Sequence, residues 1–432
     1  MLKRVIYSVC IAVIVGVGLF SFYAWQPAFT PISPPAKDQF TQQMIAQGKE
    51  LAAAGYCSTC HTLPGGKLYA GNYQMHTAFG VIYSSNITPD INTGIGSWSE
   101  EAFNRAMRTG VSRDGHHLLP AFPFEHFNKL TDSDIKAIYA YIMTSIPAVE
   151  QLKKENGIPF PLNLRFLQAG WKLLFADTSR FSPHQDKSAE WNRGAYLAEG
   201  VAHCGACHTP RNALGGELYS QMYQGAAIDG WIAPALTNSS SSPLPWRQID
   251  FYEYLRSGNS PFHGSAAGPM APVVHHGLAA LSDSDITAIS VYFADHAGNV
   301  TDDPAASDTL QIALKTQHKI PDMRIDEGSR LYTITCSACH YSGDPLIKGR
   351  PLLSLGSATH LDDATNLINV ILDGVRSNQG ISSLVMPGFR NALSDNDIAA
   401  IAAYLRQSAG EQPWPNLIKK VGEIRHQPRF EQ

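Results

Sequence analysis

The sequence predicts an all-α chain in which an N-terminal apolar helix precedes three small helical domains in tandem. Three observations predict it. The pattern C-x-x-C-H occurs three times, as Cys57, Cys60 and His61, as Cys204, Cys207 and His208, and as Cys336, Cys339 and His340. A second repeat follows each copy, running from Leu130 to Tyr141, from Leu281 to Tyr292 and from Leu393 to Tyr404. The third observation is an uncharged stretch from Val5 to Trp25.

That stretch would span about 30 Å as a helix, enough to cross a bilayer. Lys3 and Arg4 before it favour a cytoplasmic N-terminus. A cleaved signal would want small residues one and three before the cut. Phe22, Tyr23 and Ala24 fit that poorly, so a retained anchor is the favoured reading. Residues 26–40 hold four prolines and read as a semi-rigid spacer.

Each block opens with an amphipathic segment carrying one glycine, Gly48, Gly194 or Gly328, eight to ten residues before its first cysteine. Glycine lowers helix propensity. It is useful where another backbone or a ring must come close. Each block closes with the second repeat. Thr131, Ser282 and Ser394 are its N-cap candidates, and Asp134, Asp285 and Asp397 three residues on make a capping-box-like start. Ile135, Ile138, Tyr139 and Ile142 then fall on one helix face, as do Ile286, Ile289 and Phe293, and Ile398, Ile401 and Leu405. Opening and closing helices are expected to cross at the glycine, near Tyr141, Tyr292 or Tyr404.

The first cysteines of the motifs lie 147 and 132 residues apart, too far for a solenoid. The domain organisation therefore reads as anchor or signal 1–25, Pro-rich linker 26–40, first domain 41–150, linker 151–187, second domain 188–298, linker 299–325, third domain 326–410 and C-terminal tail 411–432. The stretch from Phe160 to Phe175 is too short and too charged to span a membrane, and reads as a packed linker or a docking helix.

Composition excludes other classes. Of 432 residues only 16% are charged, the net charge is −4, and no basic stripe with interleaved aromatics points to nucleic acid. Six of the seven cysteines lie in the three motifs and the seventh, Cys10, in the apolar run, so none is left to pair as a structural disulfide. No nucleophile–base pair or Gly-rich nucleotide loop is apparent.

The spacing C-x-x-C-H is the signature of covalent c-type haem attachment. Two thiols three apart on a helical turn each add to a haem vinyl group, and the adjacent His comes up under the iron as its proximal ligand. A structural zinc site wants four ligands, usually from two separated pairs, and each pair here stands alone. Three covalently bound haem c groups are therefore expected, on Cys57 and Cys60, Cys204 and Cys207, and Cys336 and Cys339, with His61, His208 and His340 as iron ligands. The sixth ligand is sought in the long loop before each closing helix. Met386 in Val-Met-Pro-Gly and Met270 in Gly-Pro-Met-Ala-Pro both stand beside a proline and are the candidates of the third and second blocks. In the first block Phe122 stands where Met is expected. His126 is the first candidate there; His117, His116 and an open iron remain alternatives.

These residues carry a resemblance. Arg193-Gly-Ala-Tyr-Leu, the run from His203 through Cys-His-Thr-Pro to Arg211, Gly268-Pro-Met270, and Val111-Ser-Arg-Asp-Gly-His-His117 with the Pro-Ala-x-Pro after it resemble the membrane-bound triheme cytochrome c subunits of bacterial periplasmic dehydrogenases. The likeness covers nearly the whole chain after residue 40. It implies an all-α fold of three class I cytochrome c-type domains in tandem after an N-terminal transmembrane helix. It implies an electron-transfer subunit at the inner membrane with its haem domains in the periplasm, serving a separate catalytic subunit and passing electrons to membrane quinone or a terminal oxidase. By the family pattern His61, His208 and His340 are proximal ligands, with Met270 and Met386 distal. The loop from Pro120 to His126 looks more like cytochromes paired with molybdenum hydroxylases for aldehydes or N-heterocycles. The alternative partners are PQQ alcohol and flavin sugar dehydrogenases. A stand-alone haem enzyme with an open first iron is a further alternative, and a free soluble shuttle is disfavoured by the apolar N-terminus.

Overall fold

A computed structural model describes residues 1–300, 304–317, 326–340, 350–376 and 385–427. Helices dominate, joined by short hairpins, and the chain divides into two units, Met1–Ser182 and Pro183–Gln432.

The first unit begins with α1 (Leu2–Ala24), among the described residues the one helix long and apolar enough to cross a membrane. Next come α2 (Gln42–Ala54), the single turn α3 (Cys57–Cys60) and the hairpin of β1 (Gln74–Thr77) and β2 (Gly80–Tyr83). The unit ends with α4 (Glu100–Thr109), the short α5 (Phe124–Phe127), α6 (Asp132–Ser145) and α7 (Leu167–Phe175). The expected face of α6 forms the core, since Ile135, Ile138, Tyr139 and Ile142 are all buried. Residues 151–157, in the stretch read as a linker, line the hairpin: Gly157 N donates to Val81 O at 2.8 Å and Asn156 Oδ1 accepts from Tyr83 N at 3.0 Å.

α2 and α6 cross at Gly48. A Cβ there would lie 1.9 Å from Ala137 O and 2.9 Å from Tyr141 Cβ. No side chain fits that gap, so glycine is what lets the two backbones touch. Thr131 Oγ1 caps α6 by accepting from Asp134 N at 3.1 Å. The Asp134 carboxylate accepts from Gln47 Nε2 at 2.6 Å, tying the closing helix to the opening one.

The segment after α1 departs from the expected semi-rigid spacer, because residues 24–32 are built into this unit. His117 Nε2 donates to Ala24 O at 2.8 Å, Arg105 Nη1 to Pro27 O at 2.6 Å and Phe29 N to Arg113 O at 2.7 Å. Gly115, at φ +87°, lets Gln26 O approach to 2.2 Å of where a Cβ would stand. The prolines stiffen the chain, but these hydrogen bonds fix it.

Lys172 on α7 completes the clamp. Its ammonium donates to Thr109 O and Gly110 O, both at 2.6 Å, and to His117 Nδ1 at 3.1 Å. Burial pushes its pKa down to about 7. An unfolded lysine holds its proton to beyond pH 10. Folding therefore releases a proton between those values, and stability rises with pH across that window. In detergent solution the wild-type stability minus that of Lys172→Met should increase from pH 6.5 to pH 9.5, by on the order of 1–2 kcal/mol after allowance for partial solvation. Urea unfolding at the two pH values measures it, and a flat difference would contradict the assignment.

The second unit repeats the plan twice. It opens with α8 (Ala189–Tyr196), which runs into a π-helical turn, Leu197–Val201, and then α9 (Gly205–His208). Gly194 lies ten residues before its cysteine, against nine and eight in the other blocks, and the wider turn absorbs added length. The hairpin of β3 (Ala226–Ile228) and β4 (Trp231–Ala233), then α10 (Gln248–Ser257), the short β5 (Asn259–Ser260) and β6 (Gly264–Ser265), α11 (Met270–Pro272) and α12 (Asp283–His296) follow. α13 (Pro304–Gln317) leads to α14 (Glu327–Thr335), α15 (Ser337–His340), α16 (Ser357–His360), α17 (Thr365–Asp373), the pair β7 (Val375–Arg376) and β8 (Val385–Met386), α18 (Asp395–Ser408) and α19 (Leu417–Arg425). α19 packs Leu417, Val421 and Ile424 into the core of α17 and α18, so much of the tail is a docked helix.

α8 crosses α12 at Gly194, where a Cβ would lie 2.0 Å from Ala288 O and 2.9 Å from Tyr292 Cβ. α14 crosses α18 at Gly328, with Ala400 O at 2.3 Å and Tyr404 Cβ at 2.8 Å. Ser282 and Ser394 cap their helices as expected. The carboxylates again decide differently. Asp285 is drawn across to Arg193, with bonds of 2.8 and 3.0 Å. Asp397 turns back to Ser394 N at 2.9 Å and closes a full capping box. The residue before the crossing glycine decides which aspartate is tied to the opening helix: Gln47 and Arg193 donate to it, whereas Glu327 cannot. Within this unit Asn366 of α17 brackets Ile232 of β4, accepting from its N and donating to its O, both at 2.8 Å.

Candidate functional site

Each C-x-x-C-H copy forms one helical turn. His61 N donates to Cys57 O at 3.0 Å, His208 N to Cys204 O at 3.1 Å and His340 N to Cys336 O at 3.0 Å. This i to i+4 bond stacks each histidine one turn beyond its first cysteine, on the same face. Burial pushes the thiols of Cys57 and Cys204 up to about 12 and those of Cys207 and Cys336 to about 11.

The imidazoles of the first two copies are aimed in the same way. His61 Nδ1 lies 2.7 Å from Ser85 O, and His208 Nδ1 lies 2.7 Å from Pro234 O. A carbonyl only accepts, so Nδ1 carries the proton and Nε2 presents its lone pair. Burial lowers the pKa of both rings, which keeps them neutral at pH 7. This is the preparation an iron-ligating imidazole needs, and the residues fit a haem. His340 is also lowered by burial, and its Nδ1 has no hydrogen-bond partner among the described residues.

The supporting contacts match between these copies, and sequence reading missed them. Thr62 Oγ1 accepts from Tyr69 N at 3.1 Å and Thr209 Oγ1 from Tyr223 N at 3.2 Å. Gly71 N and Gly225 N each donate to the motif histidine's carbonyl at 2.7 Å. The signal was present as Cys-His-Thr in both copies and as Tyr-x-Gly at 69–71 and 223–225.

On the distal side, Met270 opens α11, its N donating to Ala267 O at 3.2 Å. Its loop passes over Trp231, whose ring would lie 2.3 Å from a Cβ on Gly268. Met386 closes β8 opposite Val375, and Gly374, at φ +77°, lets Met386 O pass close by. Both methionines are half-buried. His126 sits on α5 and is 3% exposed, and Phe122 packs its ring on Phe127 at 5.5 Å. The other two histidines are engaged elsewhere. His117 uses both ring nitrogens in the clamp on Ala24, and His116 is exposed and paired with Asp114 at 2.7 Å.

Single-turn C-x-x-C-H motifs with carbonyl-oriented histidines, set between crossed helices, define a c-type cytochrome. Family models agree: "Cytochrome c" matches residues 45–145, and "Cytochrome C oxidase, cbb3-type, subunit III" matches 323–405. The chain is 41% identical over 409 residues to one subunit of the nicotinate dehydrogenase of Pseudomonas putida, an alignment covering 94% of this chain and 34% of that relative. It is 36% identical over 392 residues to the gluconate 2-dehydrogenase cytochrome c subunit of Pantoea cypripedii, covering 87% of this chain and 88% of the relative. It is 34% identical over 390 residues to the cytochrome c subunit of the quinone alcohol dehydrogenase of Gluconacetobacter polyoxogenes, covering 85% and 81%. The chain belongs to the cytochrome c subunits of bacterial membrane dehydrogenases, and it binds haem c through its cytochrome c domains. It spans only about a third of the nicotinate dehydrogenase subunit.

Proposed function

We propose that the chain is the three-haem electron-transfer subunit of a periplasmic dehydrogenase, held at the inner membrane by α1. Its domains are 41–150, 188–298 and 326–410. The observation that carries the reading is the C-x-x-C-H turn made three times, each beside a glycine-mediated helix crossing. Cys57 and Cys60, Cys204 and Cys207, and Cys336 and Cys339 would attach the groups, and His61, His208 and His340, with Met270, Met386 and His126, would supply the ligands to their irons. Bound haem c supplies a one-electron iron couple. The protein's part is to hold the histidine tautomer by Ser85 O and Pro234 O, to seat the methionine loops and to exclude water with the crossed helices. Retention of α1 is supported by the hydrogen bond from His117 to Ala24 O, which builds the helix end into the first unit.

The catalytic partner is read as a molybdenum hydroxylase for an aldehyde or N-heterocycle. The 41% identity to a nicotinate dehydrogenase subunit and the Phe122/His126 loop support this. A second reading, a PQQ alcohol or flavin sugar dehydrogenase, is favoured by the near full-length match to the gluconate and alcohol dehydrogenase subunits. Electrons leave to membrane quinone or a terminal oxidase. Capture of the tagged chain from gently solubilised membranes, followed by metal and cofactor analysis, separates the two. Molybdenum with iron–sulfur supports the first, and PQQ or flavin without molybdenum supports the second.

The His126 assignment has its own test. The reduced protein should resist carbon monoxide, and His126→Ala should bind it at one haem in three, seen as a partial Soret shift. Carbon monoxide binding by the wild type at that stoichiometry would mean an open first iron and the stand-alone enzyme reading.

A further inference from the structure

α7 is an amphipathic helix whose inner face belongs to the clamp. Ala169 is buried, and Lys172 reaches the backbone at Thr109 and Gly110. Its other face is a stripe at Phe166, Gly170, Leu173 and Leu174, the spacing of one side of a helix. The first half of that stripe is covered by α1: the Phe20 and Phe166 rings lie 6.3 Å apart, and a Cβ on Gly170 would be 3.4 Å from the Phe20 ring. The second half is bare, with Leu173 67% and Leu174 71% exposed. Phe160, 77% exposed, adds to the apolar surface before the helix.

Position says what covers it. Phe20 lies one turn before the end of α1 at Ala24, roughly 6 Å along the axis. A helix packed there stands at the level where a spanning α1 leaves the hydrocarbon and enters the headgroups. Phe22, Tyr23 and Trp25 are exposed at that level, a composition that membrane–water interfaces favour. Because the end of α1 is clamped by His117 and Arg105, α7 is held at that depth. We infer that α7 is a second membrane contact, lying in the periplasmic interface with Leu173 and Leu174 in the acyl boundary, the arrangement of a monotopic amphipathic helix. The occupant of the bare stripe is phospholipid. The bare apolar face would otherwise stand in water beside a bilayer that can cover it. The consequence is orientational: two contacts fix how the first cytochrome domain faces the membrane, which one anchor helix on a free tether cannot do.

This inference rests on the retained-anchor reading, and the test separates the two. A benzophenone amino acid replaces Leu173, Leu174, Phe22 or Ile91, one at a time, in the full-length haem-loaded protein. All four positions are exposed, so packing is left alone. The protein is placed in phosphatidylethanolamine–phosphatidylglycerol vesicles and irradiated, and adducts are read by mass. Lipid adducts at 173 and 174 should exceed those at Ile91, an exposed apolar control, at least tenfold, with Phe22 also positive. Adducts at Phe22 but none above control at 173 and 174 overturn the inference and leave the anchor. Loss of the Phe22 peptide from the mature protein ends the anchor reading; lipid adducts at 173 and 174 then still uphold the α7 contact, and their absence overturns it. In native membranes, cross-links from 173 or 174 to another protein instead of lipid overturn it in favour of an interface within the complex.

Discussion

Replacing Gly194 by valine should remove one haem in three from the purified protein and destabilise its block by about 3 kcal/mol or more. The gap at this crossing admits no carbon: a Cβ would stand 2.0 Å from Ala288 O. That oxygen is backbone inside α12 and cannot rotate away, so the helices must part. Overpacking of this kind costs about 1–3 kcal/mol when side chains can yield, and here they are not what must move. Against a domain stability of roughly 5–15 kcal/mol the loss is large. Parting the helices also uncovers the seat of Tyr292, whose hydroxyl donates to Glu199 Oε1 at 2.9 Å, just before Cys204. Gly48→Val and Gly328→Val should do the same to their own blocks. Gly422→Ala on α19 is the control. Its nearest neighbour is the end of the Asp395 side chain at 3.1 Å, which needs to give only a few tenths of an ångström while keeping its ion pair with Arg425, and alanine gains up to about 1 kcal/mol of helix propensity. Haem per chain by pyridine haemochrome and urea midpoints measure both. A Gly194→Val protein with full haem and unchanged stability would refute the crossing geometry.

Substituting histidine for Met270 should lower the potential of one haem by on the order of 200 mV and leave the other two in place. The sign follows from the ligand. A thioether favours reduced iron more than an imidazole does, so its removal stabilises the oxidised state. Met386→His should act in the same direction on a different haem, and the double variant should show both shifts, because the two methionines lie in separate loops. Redox titration resolves the steps, and the methionine–iron charge-transfer band should weaken with each change. A variant with unshifted potentials and an intact band would mean that the methionine is loop packing. Trp231 offers an internal check. It lies under the Gly268 turn, so Trp231→Ala should broaden or weaken the band of the Met270 haem without abolishing it.

Much of this is legible in the residues. The buried faces of α6, α12 and α18 follow from the spacing of Ile135, Ile138 and Ile142 and their counterparts, since helix periodicity is a local property. The three crossings are legible as well, because a glycine at one place in each repeated segment has few uses other than close approach. The capping boxes are half legible. Thr131, Ser282 and Ser394 do cap, but whether the aspartate also reaches the opening helix depends on Gln47, Arg193 or Glu327 some 70–95 residues away. Residues 24–32 read as a spacer for the same reason, since nothing in a proline-rich run says that Arg105 and His117 will hold it.

By itself, then, the sequence showed three C-x-x-C-H motifs at one place in a repeated block, which helices pair, and a methionine beside a proline before the second and third closing helices. These are matters of covalent spacing and local periodicity, written within a few turns of chain. Only the tertiary structure decided that Ser85 O and Pro234 O orient His61 and His208, that His117 commits both ring nitrogens to Ala24 O and Lys172, and that α7 presents Leu173 and Leu174 beside the end of α1. Each of those depends on a backbone carbonyl or an exposed face brought in from tens of residues away. A carbonyl belongs to every residue and so leaves no mark in the sequence, and a helix shows which of its faces is covered only when its neighbour is in place.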